Sequence, residues 1–272
     1  MKSKSPQPWH SVSIDALRAV RGVLTDIDDT LTTEGAITPD ALQALADLRA
    51  AGLPVIAITG RPMGWSRGFA MDWPIDAIVA ENGAVALFRR GDALQVEYEQ
   101  SAEVRVANQQ RLKAVEALVL REVPGAKLAE DSAGRVTDIA VDHSEFAHLN
   151  ADQIERVLGV MRAAGMTATV SSIHINGWFG EHNKLSGARW ITQLLLKIGI
   201  DDELAHWVYL GDSTNDQSMF GHFPLSVGVA NLMRFKNELT VWPAYMTQSE
   251  RGAGFAEVAR TLMAARLNSP RQ

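Results

Sequence analysis

Residues 22–60 leave this chain little choice of fold. "GVLTD" is a short apolar run ending in a carboxylate, "TPDALQALADLRAAG" comes next, and "LPVIAITG" is a second apolar, β-branched run. Thr38 suits an N-cap, Pro39 the first helical position and Gly52 the stop. Leu42, Leu45 and Leu48 recur at helical spacing. Strand, helix and strand in so short a span predict a βαβ unit with a right-handed crossover, so the two strands are parallel. Their C-terminal ends, Asp26 and Thr59, then lie at one edge of the sheet, the edge where open α/β sheets bind ligands.

A second α/β stretch closes the chain. Residues 184–199 read as a helix with Leu185, Ala188, Ile191, Leu195 and Ile198 inward, and 207–210 (WVYL) as a buried strand. That strand ends in "GDSTNDQSMF", where a helix is expected near Thr214, and 225–230 form one more strand. The middle differs in texture. Residues 135–143 and 168–178 alternate as half-exposed antiparallel strands do. Leu112, Val115 and Val119 mark one amphipathic helix; Ile154, Val157, Leu158 and Met161 mark another. The expected division is a loose tail over 1–20, a discontinuous parallel α/β core over 21–85 and 179–272, and an inserted α+β module over 86–178.

Composition narrows the function. Among 272 residues the formal net charge is −6, which disfavours nucleic-acid partners. The absence of cysteine excludes disulfides, thiolate metal sites and cysteine nucleophiles, and is compatible with cytoplasm. No apolar run approaches the ~18 residues of a membrane span. The first residues carry two lysines but no apolar stretch behind them, unlike a secretory leader. The expectation is a cytoplasmic monomer or weak homodimer with neither nucleic-acid nor membrane partner.

"VLTDIDDTLTT" places Asp26, Asp28 and Asp29 within four positions. Asp26 and Asp28, two apart at a strand end, can point to the same side. A hard divalent cation such as Mg²⁺ stabilises such a pair and keeps room for a substrate phosphate. Paired acids also suit a division of labour between a nucleophile and a proton carrier. The bland alternative is a solvated acidic cluster. Thr59-Gly60-Arg61 offers a hydroxyl and backbone amides to a phosphate, or is a plain turn. Lys184 opens a helix and can screen the acids, or is a surface lysine. Asp212, at the next strand end, can complete a metal site, while Thr214 or Asn215 can simply cap a helix. Trp65 and Trp73 can line a mouth but are the more natural core residues.

An apolar strand then DxD, an apolar strand then TGR, a lysine opening a helix, and an apolar strand then GDxxND stand in that order. In "DIDDT", "ITGRP", Lys184-Leu-Ser-Gly-Ala and "GDSTNDQSMF" the chain resembles the haloacid dehalogenase (HAD) superfamily of phosphohydrolases. The long insert, opening at "ENGA", looks like the cap of subclass IIB, the Cof-type and sugar-phosphatase-like members. The resemblance implies a Rossmann-like parallel-sheet core with an inserted α+β cap, and Mg²⁺-dependent hydrolysis of a small phosphorylated metabolite, a sugar phosphate or phosphoglycerate derivative. It makes Asp26 the nucleophile that becomes an aspartyl phosphate, and Asp28 the acid and then base. Asp26, Asp28 (through its carbonyl), Asp212 and Asp216 would serve the metal. Thr59, Gly60, Arg61, Asn82, Lys184 and Asn215 would hold the phosphate, with Thr59 and Lys184 counted as catalytic. In the cap the candidate stretches are "SIHINGW" (172–178) and "GRVTD" (134–138): His174 is expected on a substrate hydroxyl or phosphate or on a plain solvent-facing strand, Asn176 similarly, and Trp178 in packing. Asp29 departs from the glycine many relatives carry and is expected to point away from the metal. Leu-Ser-Gly-Ala after Lys184, rather than glycine directly, is the second departure. Competing readings are a phosphotransferase or mutase on the same scaffold, a phospho-acceptor signalling domain, and a DxD nucleotide-sugar transferase. The last two do not account for the large insert or for GDxxND.

Overall fold

The computed structural model describes residues 5–267. Its main sheet runs in the order Gln7–Pro8, Tyr245–Met246, Leu225–Gly228, Trp207–Gly211, Gly22–Thr25, Val55–Ile58, Ala77–Ala80, Val85–Arg90 and Ala93–Tyr98. The pairings are parallel up to Ala77–Ala80 and antiparallel beyond it. The central strands alternate between two apolar layers. Val23, Val55, Ala57, Val208 and Leu210 pack with Leu45, Leu48, Phe255 and Leu262 on one face. Leu24, Ile56, Ile58 and Tyr209 pack with Ile191, Phe220 and Phe223 on the other. Strands buried on both faces read as continuous apolar runs, which is why they are visible in the sequence.

The helix over Pro39–Ala50 begins at the expected proline, but Leu42 is exposed; Ala41, Ala44, Leu45 and Leu48 form the buried face. An i, i+3, i+4, i+7 stripe excludes a leucine one position beyond its edge. Lys184–Leu196 is also helical, and ends on Lys197 with φ 59 instead of continuing to 199. A single 3₁₀ turn, Thr214–Asp216, precedes the helix Gln217–His222.

Two expectations are corrected. Residues 7–20 are not a loose tail. Gln7–Pro8 pairs in parallel with Tyr245–Met246 at the sheet edge, and Ile14–Ala19 is a helix capped by Ser13. Trp9, Val12, Leu17 and Val20 are buried in the main core, with Trp9 edge-on to Tyr245 at 5.8 Å. Proline is tolerated on an edge strand, and a strand of two residues carries no alternation to read. Residues 1–4 of the expected tail lie outside the described residues. Trp9→Ala is expected to cost about 3–5 kcal/mol of unfolding free energy, measured as a lowered urea midpoint; a loose tail would leave the midpoint unchanged.

The second correction concerns residues 86–98. They belong to the main sheet as an antiparallel hairpin turning at Gly91, so the chain leaves that sheet at Glu99, not at 86. The remaining insert forms a four-stranded antiparallel sheet, ordered Thr167–Val170, His174–Trp178, Asp138–Asp142 and Lys127–Leu128. The helices Ala102–Glu122 and Ala151–Ala163 bury Leu112, Val115, Val119, Val157, Leu158 and Met161 against it. Gln100 donates from Nε2 to the carbonyl of Phe179 at 2.7 Å, tying the outgoing crossing to the returning one. Among the described residues no helix is long and apolar enough to cross a membrane.

Candidate active site

Three neighbouring parallel strands end side by side. Trp207–Gly211 delivers Asp212, Gly22–Thr25 delivers Asp26, and Val55–Ile58 delivers Thr59. Asp26 is held by its own amide, which donates to the Leu210 carbonyl at 2.9 Å. Carboxylate oxygens of Asp26, Asp212 and Asp216 lie within 4.8 Å of one another, all buried.

Lys184 answers part of this charge. Its Nζ lies 3.0 Å from Asp26 Oδ1 and 2.7 Å from Asp216 Oδ1. It stands at the first position of its helix, behind the Asn183 cap, where the helix dipole disfavours a cation. The two carboxylates offset that penalty and raise the lysine's pKa against a burial that lowers it. The helix comes close because Gly187 rests on Gly83, whose Cα would be 2.7 Å from any added Cβ. The glycine missing directly after Lys184 is therefore supplied one turn later.

Asp216 is fully engaged. Oδ1 accepts from Lys184 and from the Tyr209 hydroxyl, and Oδ2 accepts from the amides of Asp212 at 2.9 Å and Ser213 at 3.0 Å. An added Cβ at Gly211 would sit 2.5 Å from the Asp216 carboxyl carbon, so only glycine lets that carboxylate fold under the strand end. Asp216 thus fixes the loop and the lysine while its carboxylate stays within the buried cluster of acids. Asp212 is different. Oδ2 accepts from Asn231 at 3.0 Å and Arg234 at 3.2 Å, while Oδ1 is buried with no hydrogen-bond partner. Burial, then repulsion from Asp26 and Asp216, pushes Asp212 well above the usual carboxylate range. Burial likewise raises Asp26 to about 7, against the pull of Lys184. An orphaned carboxylate oxygen beside a second strained carboxylate, with only oxygen donors around, fits a hard divalent cation.

Asp28 lies outside this triad. Its Oδ1 accepts from Arg61 Nε at 2.8 Å. Arg61, expected on phosphate, is shared among carboxylates: its other nitrogens reach Asp131 at 3.1 Å and Glu145 at 2.8 Å on the inserted segment. Its guanidinium also lies over Trp65, 5.2 Å from the ring centroid. Trp73 is core, as the simpler reading had it, and Trp65 is half-buried against the same cluster. His174 is buried, and its Nε2 is 3.0 Å from Glu145 Oε2, so it backs the Arg61–Glu145 pair. Burial pushes Glu145 up, but hydrogen bonds from His174 and Arg61 outweigh it and hold the carboxyl at about 2. Asp29 has φ 55 and turns to Arg234 at 3.0 Å and Arg251 at 3.2 Å.

Thr59 is buried, and its Oγ1 accepts the Arg61 amide at 3.0 Å. Asn82, with φ 56, brings its amide onto the Thr59 carbonyl at 2.9 Å, while its buried side-chain Nδ2 has no partner. Asn82 Nδ2 and Asn176 Oδ1, the latter also unpartnered, lie 3.3 Å and 3.2 Å from where a Cβ on Gly60 would stand. Two unpartnered amide atoms thus close in on the turn after Thr59, where a side chain at Gly60 would press on them. Asn215 is half-buried and accepts from the Ser213 hydroxyl at 2.8 Å. Trp178 is buried and stacked on His182 at 5.4 Å.

Several further residues take part. Glu81 is fully buried and accepts from the amides of Met63, Val136 and Thr137 and from the Thr137 hydroxyl, fastening the insert to the main sheet. Arg135, reaching from the insert, donates to the Gly60 carbonyl at 2.9 Å and to Asp138 at 3.0 Å. Tyr209, Asn231 and Arg234 support the acids from the main fold. The sequence pointed to Glu81 through "ENGA", where the insert opens, and to Arg135 and Thr137 through "GRVTD" (134–138) in the cap; Asn231 and Arg234 carried no signal.

The sequence pattern of the family described as haloacid dehalogenase-like hydrolase matches residues 23–119. A search of curated proteins finds no match to the chain. Among solved structures, a HAD/COF-like hydrolase from Plasmodium vivax superposes with a TM-score of 0.67 at 14% identity, covering 93% of this chain and 99% of that one. The sucrose-phosphatase from Synechocystis, solved with sucrose and phosphate, gives 0.59 at 16% identity, over 89% and 98%. A trehalose-6-phosphate phosphatase related protein gives 0.60 at 14% identity, over 90% and 98%. At such identities the likeness is one of fold.

Proposed function

We propose that this haloacid dehalogenase-like hydrolase is a Mg²⁺-dependent phosphatase of a small phosphorylated metabolite, with Asp26 as its nucleophile. The observation that carries the reading is the meeting of Asp26, Lys184 and the orphaned Asp212 oxygen at three adjacent strand ends. Asp26 Oδ attacks phosphorus and the ester P–O bond breaks, giving an aspartyl phosphate. Asp28, held through Oδ1 by Arg61, passes a proton from its other oxygen to the leaving alkoxide. It then takes a proton from the water that attacks phosphorus, and free phosphate and Asp26 are regenerated. Lys184 keeps Asp26 oriented and offsets charge, while Thr59, the Gly60 amide and the unpartnered side-chain Nδ2 of Asn82 hold phosphate oxygens. Mg²⁺, held by Asp26 and Asp212, would neutralise the charge that gathers on the transferring phosphoryl group. The engaged oxygens of Asp216 give it the indirect part of fixing Lys184 and the loop.

Release of free phosphate separates hydrolysis from phosphotransfer to a second substrate. Turnover of phosphorylated metabolites is expected with Mg²⁺ and lost with chelator; equal rates in both would rule out the metal role. The ion should also raise the melting temperature more at pH 8 than at pH 5. Burial raises Asp26 and Asp212, so at the lower pH both must shed protons to bind it.

A further inference from the structure

The turn after Thr59 presents three consecutive carbonyls, and all are taken. Those of Thr59 and Arg61 accept backbone amides of the same turn region, from Asn82 at 2.9 Å and Glu81 at 3.0 Å. The middle one, of Gly60, is met among the described residues by side chains of the insert alone: Arg135 Nη1 at 2.9 Å and Asn176 Nδ2 at 3.4 Å. The other end of that rigid peptide plane is the Arg61 amide, which donates to Thr59 Oγ1 at 3.0 Å. The buried Thr59 hydroxyl thus accepts from the turn, and among the described residues nothing accepts its own proton. With glycine on one side, this peptide can rotate at little cost. Rotated, it would take the amide off Thr59 and set a carbonyl oxygen there, which would claim the hydroxyl proton.

Arg135 is fixed against that rotation. Its side chain is 2% exposed, with Nη1 3.0 Å from Asp138 and Nη2 3.0 Å from Asp131. The backbone around it is anchored without the side chain's help. The amides of Val136 and Thr137 reach Glu81, and Gly134 lies so close to Gly64 that a Cβ on Gly64 would stand 2.8 Å from the Gly134 Cα.

We infer that Arg135, on the inserted segment, is a positioning residue for phosphate: by holding the Gly60 carbonyl it keeps the Arg61 amide on Thr59 and leaves the Thr59 proton for a phosphate oxygen. The inference rests on the phosphatase reading above. The insert then shapes the phosphate site itself, through one peptide plane.

The test combines Arg135→Met with Asp138→Asn, so that the buried pair is removed as a whole; Asp131 keeps Arg61 at 3.1 Å. The probes, both with Mg²⁺, are turnover of 4-nitrophenyl phosphate and calorimetric binding of inorganic phosphate. The double substitution is expected to raise KM for the ester and Kd for phosphate about tenfold each, as fits the loss of a hydrogen bond to a charged group. On a Thr59→Val background, which lacks the hydroxyl, it should raise Kd by less than about twofold further. Arg135→Lys leaves Asp131 and Asp138 a cation but has no fork to reach the Gly60 carbonyl as well, so it should shift both constants in the same direction, and it decides the matter if the double variant does not fold. A merely structural role would lower the active fraction and kcat and leave both constants alone. Unchanged constants, or a full tenfold rise on Thr59→Val, overturn the inference. Wild type that releases no phosphate from the ester, with Asp26→Asn indistinguishable, overturns the phosphatase reading and this inference with it.

Discussion

Asp26→Asn is expected to stop phosphate release, with a fall of about 10³-fold or more in kcat, because an amide cannot form the aspartyl phosphate. The fold should survive. Asparagine keeps the shape of the buried side chain, and Lys184 retains Asp216 at 2.7 Å. The stability profile supplies a second readout. Burial raises the Asp26 carboxyl to about 7, above the ~4 of an unfolded chain. A raised carboxyl stabilises the metal-free fold below the unfolded value, and that contribution is lost as pH rises through the folded one. Without metal, the wild type should therefore weaken between about pH 4 and about pH 7. The variant should weaken less there, and at pH 8 should equal or exceed wild type. The increment that Mg²⁺ adds to wild type should shrink in the variant. Near-wild-type turnover would remove Asp26 from the nucleophile's place, whatever the melting curves show.

The same residues explain how far the sequence could be read. Asp26, Thr59, Lys184 and Asp212 were legible because each follows a continuous apolar strand or opens a helix, and parallel topology brings such ends together. Asp216 was legible as a member of the motif but not in its use. That depends on Tyr209 and two backbone amides, which no spacing reveals. The surroundings of Arg61 were hidden for a related reason. Its partners Asp131 and Glu145 sit 70 and 84 positions away on the insert, and an alternating strand pattern says nothing about which loop end faces the core. The N-terminal segment and the hairpin over Val85–Tyr98 were missed because strand membership there is decided by an edge offering unpaired amides. Local periodicity does not record that.

Lys184→Met should strongly damage the metal-free fold. The side chain is almost fully buried, and it is the ammonium that Asp26 and Asp216 share, at 3.0 and 2.7 Å. Methionine fills similar space but leaves these carboxylates facing Asp212 without a cation, and removing one partner of a buried pair costs about 3–5 kcal/mol. Asp216 keeps the Tyr209 hydroxyl and two amides, so the strand-end loop should hold while the acids repel. Urea unfolding at pH 8 is expected to show the full loss. At pH 5 the loss should be smaller, because Asp26 and Asp212, both raised by burial, then carry protons in the fold. Mg²⁺ should restore part of the stability by occupying the acids, yet phosphate release should stay depressed, since no ammonium then holds Asp26 for attack. Lys184→Arg is the control for charge alone: it should recover stability more than turnover, because a planar guanidinium cannot reproduce the two-point contact of a compact ammonium. A wild-type urea midpoint for Lys184→Met at pH 8 would mean that the buried acids are already protonated there, and the case for a cation between Asp26 and Asp212 would fall with it.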